Sequence, residues 1–425
     1  MWSFAISGTA FLLYACYRFN KTKIFYPSII FSTMWGLACI VTALILNGSF
    51  GYLYLSNSYS FHYLDEYILY FTGASLIAFI FAHMFSPQKG IELTFSLDFL
   101  ERILQNYRWL MWLNFFGGLL RIMLMISIVG VSSVMDYRLA ANDMMNSGYG
   151  PIGLVFRLTN YIQLLANFYI ALCGLMSGFN RLNLKKIILL FILYSPTQMA
   201  TGGRLFILYF ILFYVGSFLL GRGLAYKMEK RPFLENEERR IGVIVFAGLF
   251  SLVSLIAMFR ETDNIERGLG NKRESPIAKF TYISEGMLES EYYMRFYPPD
   301  KIKTDDGAHL ITGKSDYYLR FRGYLQYTYM SSIIVCIITP LYTSFGYWGS
   351  IIAWFIIALI LETISITILR KMSLIRFFIY LTILKVMYEA ILTNSIAGNF
   401  AVYELIILLT IFYKRIFGKL CIDLK

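Results

Sequence analysis

Apolar runs of about 20 residues, the length a helix needs to cross a bilayer core, recur along almost the whole chain and are separated by short polar intervals. They predict spans at Trp2 to Phe19, Ser28 to Asn47, Tyr67 to Phe85 and Trp109 to Gly130, and a fifth that Pro151 opens. Ile187 to Ala200, Leu205 to Leu220 and Ile241 to Phe259 follow, then Ser344 to Leu369, Phe377 to Ile396 and Phe400 to Tyr413. The fold class is an all-α polytopic membrane protein of about 11 (10–12) transmembrane helices. Residues 1–425 read as a single transmembrane domain, interrupted once by a long polar interval, Arg260 to Tyr327, taken as a large extracytoplasmic loop.

Sidedness follows from where Lys and Arg fall between the runs, because cytoplasmic loops collect them. Lys21 and Lys23, then Lys89, Arg102 and Arg108, then Lys185 and Lys186, then Arg222 to Arg240 mark inside loops; Gly48 to Tyr63 has no Lys or Arg and reads as outside. Tyr329 to Tyr342 is apolar but short and contains Pro340, so two counts compete. If it spans, the basic Arg370 to Arg376 segment and the basic tail fall outside. If it only dips into the outer interface, both fall inside, and the positive-inside rule prefers this second count.

Composition narrows the class further. The chain is 58% hydrophobic with a mean hydropathy of +0.59, which excludes a soluble domain, and its net charge of +12 belongs to loops rather than to a nucleic-acid surface. The five cysteines are scattered in apolar runs and indicate neither a disulfide framework nor a metal knuckle. No histidine has metal-ligand spacing, and Walker and dinucleotide-binding glycine patterns are absent, so no cofactor and no metal are expected. The acidic groups Asp305-Asp306 and Glu289-Ser290-Glu291 are a weak divalent-ion signal at most.

What stands out is arginine. With the topology above, Arg121, Arg138, Arg157, Arg204, Arg260, Arg320 and Arg322 all fall in the outer half of the bundle or on outer loops, where positive-inside sorting does not explain them. Arg121 lies about 13 Å below the outer end of the fourth span by helical rise. Guanidinium forks bind phosphate oxygens two at a time and keep their charge when desolvated. Thr201-Gly202-Gly203-Arg204 turns a short sixth span into the seventh, as irregular backbone does where it lines a cavity. Against this, Arg121 and Arg157 equally suit pairing with polar groups of neighbouring helices, and Arg138 suits a surface ion pair with Asp136 or Asp143. Lys385 and Glu389, four apart, read as a pair, while Glu362 and Glu404 have no partner visible in the sequence.

Met135-Asp136-Tyr137-Arg138 in an outer loop, Thr201-Gly202-Gly203-Arg204 at a helix turn and Arg260 opening a large outer loop form one layout, completed by Pro340 to Gly349, PLYTSFGYWG, before a late span. This layout resembles the bacterial oligosaccharide repeat-unit polymerases, the Wzy-type O-antigen and capsule polymerases. The resemblance implies a GT-C-like, inverting, metal-independent glycosyltransferase in the bacterial cytoplasmic membrane with its site facing the periplasm. It would use undecaprenyl-pyrophosphate-linked oligosaccharide and work beside a chain-length regulator protein. Arg204 and Arg260 would be catalytic residues; apart from the resemblance, an acceptor hydroxyl calls for a base, for which His309, then Asp316 and Glu285, are the candidates in the long loop, and His309 is taken as the third catalytic residue. Arg138, Arg121, Arg157, Arg320 and Arg322 would bind substrate. The alternatives are a transporter or flippase of lipid-linked oligosaccharide, and an O-antigen ligase that shares the donor and takes a different acceptor.

Overall fold

Backbone N–H and C=O groups in an apolar layer have to be satisfied within their own segment, so each apolar run becomes a helix. The computed structural model describes residues 2–47, 63–86, 92–130, 151–180, 182–199, 205–229, 233–245, 286–287, 290–291, 294, 336–391 and 400–412. In chain order these form α1 (Trp2–Thr22), α2 (Pro27–Leu46), α3 (Tyr63–Phe85), β1 (Glu92–Leu93), α4 (Leu97–Asn106), α5 (Trp109–Val129), α6 (Pro151–Phe179) and α7 (Leu184–Met199). Then come α8 (Leu205–Phe210), a π-helical turn (Ile211–Val215), α9 (Gly216–Glu229), α10 (Ile338–Arg370), β2 (Lys371–Met372), α11 (Leu374–Glu389) and α12 (Phe400–Ile411). Among the described residues five helical stretches are long and apolar enough to cross a membrane: Pro27–Leu46, Tyr63–Phe85, Leu97–Ile128, Gly153–Phe179 and Ile338–Arg370. The protein is an all-α, membrane-embedded chain.

It divides into two compact units, one of Met1–Thr22, Tyr26–Leu93 and Asn271–Glu404, the other of Lys23–Phe25, Thr94–Gly270 and Leu405–Lys425. In the first unit α3 and α10 run parallel. Tyr67 Oη bonds Ser350 Oγ at 2.9 Å, Trp354 Nε1 donates to Ser75 Oγ at 2.9 Å, and His83 Nε2 meets Glu362 Oε1 at 2.9 Å. Between these rungs Phe31 stacks on Trp35 and Trp354 with ring centroids 5.4 and 5.1 Å away, within the offset-stacking range. The segments that follow the two helices then pair as a short parallel ladder, Glu92 with Lys371 and Leu93 with Met372. Backbone pairing thus holds the segments that follow α3 and α10 side by side.

Residues 338–342 do not form a separate element; they run into α10, with Pro340 third in the helix, where its missing N–H costs nothing. The bend comes later, at Gly346, whose φ of 71° is open to glycine and costly for other residues. Ile338 to Ser344 are buried, and part of the Arg260 to Tyr327 interval packs beside them. Gly286, Met287, Ser290, Glu291 and Met294 are helical and buried. Ser290 Oγ lies 2.9 Å from Thr339 Oγ1 and 3.1 Å from Cys336 Sγ. Glu291 Oε2 accepts the Leu64 N–H at 2.7 Å, placing a carboxylate at the N-terminus of α3. That is what this acidic residue does here.

In the second unit the polar interval before Trp109 contains a helix. Ser96 caps α4 by accepting the Phe99 N–H at 3.1 Å. Phe99, Leu100, Ile103 and Leu104 are buried on one face, while Glu101, Arg102 and Gln105 are exposed. Tyr169 Oη donates to the Leu104 carbonyl at 2.9 Å and ties α4 to α6. The helical run expected to end at Leu220 continues to Glu229 through the π turn, where Tyr214 Oη donates to Ser177 Oγ of α6 at 3.0 Å. Arg222 makes a buried ion pair with Glu238 and donates to the Asn180 carbonyl at 3.3 Å. Of the apolar run Ile241 to Phe259, expected as the eighth span, only residues 241–245 are described.

Candidate functional site

On α5, Asn114, Gly118 and Arg121 recur at helical spacing and form one face of small and polar residues. This face meets α7 at Pro196. Proline has no N–H to give the Ile192 carbonyl, and Ser195 Oγ supplies a donor to it at 3.2 Å. Asn114 Nδ2 donates to the carbonyls of Leu193 and Tyr194 at 3.0 and 3.3 Å. Thr197 Oγ1 donates in turn to the Asn114 carbonyl at 2.6 Å. Gly118 lies so close to the Pro196 and Thr197 backbone that a Cβ there would collide with main-chain atoms. The approach of the two helices therefore requires glycine.

One turn further along α5, Arg121 is fully buried. Its Nε donates to Thr159 Oγ1. One terminal nitrogen donates to the Phe156 carbonyl and, at 2.6 Å, to Asn160 Oδ1. The other donates to the Thr197 carbonyl at 3.5 Å. Thr197 is in the last turn of α7, whose carbonyls lack intrahelical donors and attract a cation. The guanidinium carbon lies 5.0 Å from the centroid of the Phe156 ring. All four acceptors are neutral oxygens, so no carboxylate is among these partners. Arg157, the next residue to Phe156 on α6, is exposed.

These contacts set the direction of the helices. The pairs Asn114 with Leu193 and Arg121 with Thr197 make α5 and α7 parallel, and Gly117 beside Thr159, with Leu104 beside Tyr169, makes α6 antiparallel to them. The C-terminal ends of α5 and α7 and the N-terminal end of α6 thus gather at one end of the second unit. The segment carrying Arg138 joins α5 to α6 there, and Arg204 directly precedes α8. Arg121 and Arg157 both lie toward this end, the first buried and the second exposed; Arg138, Arg204, Arg260, His309, Arg320 and Arg322 lie outside the described residues.

The first unit holds a second polar node, which spacing along the chain does not reveal. Glu362 of α10 is fully buried. It accepts from Ser28 Oγ at 2.6 Å and Ser28 N at 3.1 Å and pairs with His83 Nε2. Arg18 of α1 reaches the other ring nitrogen of His83, with its guanidinium carbon 5.4 Å from the Tyr26 ring centroid. Lys385 Nζ lies 3.0 Å from Glu389 Oε1 on α11, the expected four-residue pair. Glu404 is exposed on α12. Comparison with known proteins adds no neighbour: no known family's sequence profile, no curated protein and no solved structure matches the chain.

Proposed function

We propose that this chain is a membrane glycosyltransferase that polymerises undecaprenyl-pyrophosphate-linked oligosaccharide repeat units into a surface polysaccharide on the outer face of the cytoplasmic membrane. The observation that supports this reading best is Arg121. A guanidinium buried among neutral oxygens keeps a positive potential that an anion would relieve, and it lies at the end of the second unit from which the Arg138 segment leaves. Pyrophosphate is the anion that suits several arginines together. In the GT-C-like arrangement of about eleven spans, the acceptor hydroxyl attacks the anomeric carbon of the donor chain, and the bond from that carbon to the pyrophosphate oxygen breaks. Arg204 and Arg260 offset the charge arriving on the leaving group, the largest electrostatic demand of the step. His309 takes the hydroxyl proton, and Arg138, Arg157, Arg320 and Arg322 hold the lipid-linked substrates.

A transporter of lipid-linked oligosaccharide is the second reading. The buried Glu362, Lys385 and Glu389 and the part-buried Arg18 and His83 favour it, because ionisable groups inside spans often serve relays. Arg204→Ala and Arg204→Lys, expressed in cells lacking the native protein, separate the two. With normal protein in the membrane, polymerisation predicts that long glycan collapses to a single repeat unit. Loss of even single-unit glycan turns the assignment to transport or ligation, and a full ladder in both variants removes Arg204 from the site.

A further inference from the structure

The node in the first unit uses chemistry that polymerisation does not. Arginine only donates hydrogen bonds, so the His83 Nδ1 that Arg18 faces carries a lone pair, and the ring proton sits on Nε2, donated to Glu362 Oε1. One neutral imidazole thus bridges a cation of α1 and a carboxylate of α10. We propose that Arg18, His83 and Glu362 form a proton-binding site in which a proton added to His83 Nδ1 displaces Arg18 and releases the end of α1 from α3.

The displacement follows from donor counting. An imidazolium has N–H on both nitrogens; its Nε2–H keeps Glu362, but its Nδ1–H confronts the N–H of Arg18, and the two cations repel. Arg18 has little else to hold it. Its Nε is buried without a hydrogen-bond partner, and its guanidinium otherwise meets the face of Tyr26. The groups that face the site are Tyr14 and Arg18 from α1, Tyr26 and Ser28 from the start of α2, His83 from α3, Glu362 from α10 and Tyr380 from α11. Among these His83 is the one imidazole, the side chain whose two ring nitrogens can each either donate or accept. A proton has a short route, because Arg18 stands one turn from the end of α1 and the His83 side chain is 8% exposed. The site does not depend on which reaction the chain performs.

The test uses the full-length protein in lipid nanodiscs with nitrogen-labelled histidine, of which the chain has three; His83→Gln assigns the His83 signal. Wild type at about pH 8 should show the Nε2–H tautomer, and acidification to about pH 5 should give imidazolium. Backbone amide exchange over residues 14–22, corrected for intrinsic rates, should rise about tenfold in the same pH interval. The glutamine amide offers an acceptor to Arg18 and a donor to Glu362 and takes no proton. The His83→Gln variant should therefore keep slow exchange at both pH values. An Nδ1–H tautomer in wild type overturns the proposal, as does protonation with unchanged exchange of α1, or no protonation in this interval. His62→Gln and His309→Gln assign the remaining signal to His83 by difference, so the tautomer and the exchange are both read with His83 in place and each of these outcomes counts even if His83→Gln fails to fold.

Discussion

The two polar nodes are built from similar parts and balanced differently. In the first unit, the charge of Arg18 is matched by Glu362 through His83, and the carboxylate is further held by Ser28. In the second, Arg121 faces carbonyl, hydroxyl and amide oxygens and no acid. Dipoles can hold a buried cation in place without cancelling its charge, whereas a paired node is neutral as a whole. A node that is already neutral has no use for a further anion. One that keeps a net charge at the end of a helix bundle is suited to receive one, and this is why the phosphate reading rests on Arg121 and the proton reading on His83.

The contrast is broken most severely at Glu362. Glu362→Ala leaves His83 Nε2 and the two Ser28 donors without their buried acceptor and removes the charge that balances Arg18, and loss of one member of a buried pair costs about 3–5 kcal/mol. The expected outcome is a large fall in the unfolding midpoint in detergent and little full-length protein in the membrane. Glu362→Gln keeps an acceptor for Ser28 and should lie between Glu362→Ala and wild type. An unchanged midpoint for Glu362→Ala would mean that the first node is not held by charge, and the contrast with Arg121 would vanish.

The two nodes also differ in how far they can be read from sequence. Arg121 is conspicuous because it interrupts an apolar run, and Lys385 with Glu389 is conspicuous because four residues separate them on one helix. The helices follow from run length, and their ends lie close to those of the expected runs at α1, α2, α5 and α7. His83 and Glu362 are 279 residues apart, and no local period encodes a contact between helices at that distance. Three local features are equally hidden. The apolar face of α4 is four residues in a polar loop, the bend of α10 lies at Gly346 rather than Pro340, and Glu291 is one acid among several until the fold sets Leu64 beside it.

A smaller effect on stability and a larger one on function are expected at Arg121. Arg121→Met retains much of the apolar stem and removes the charge. It leaves only neutral acceptors short of donors, at about 1–3 kcal/mol for a buried group left unsatisfied. The protein should remain in the membrane with a moderately lower midpoint, yet produce only single-unit glycan. Arg121→Lys restores a charge but not the planar fork that reaches α6 and α7 together, and it should recover stability less fully than charge alone would suggest. A folded Arg121→Met protein that yields a full glycan ladder would make this arginine a packing group.

The finest separation comes from Arg157, which carries the same charge one residue from Phe156 and is exposed rather than buried. It stands in the second turn of α6, about 10 Å from the N-terminal end by helical rise, close enough for its stem to follow the helix surface and bring the guanidinium to the polar boundary. Among the described residues its side chain makes no hydrogen bond that holds the fold, so Arg157→Gln should alter the unfolding midpoint by no more than about 0.5 kcal/mol equivalent. If Arg157 holds substrate phosphate at that boundary, the same variant shortens the glycan ladder, and Arg157→Lys, which keeps a point charge, restores part of it. Equal ladders in wild type and Arg157→Gln would confine the anion to the buried arginine and exclude the exposed one. The difference between the two nodes would then be a difference in burial as well as in charge balance.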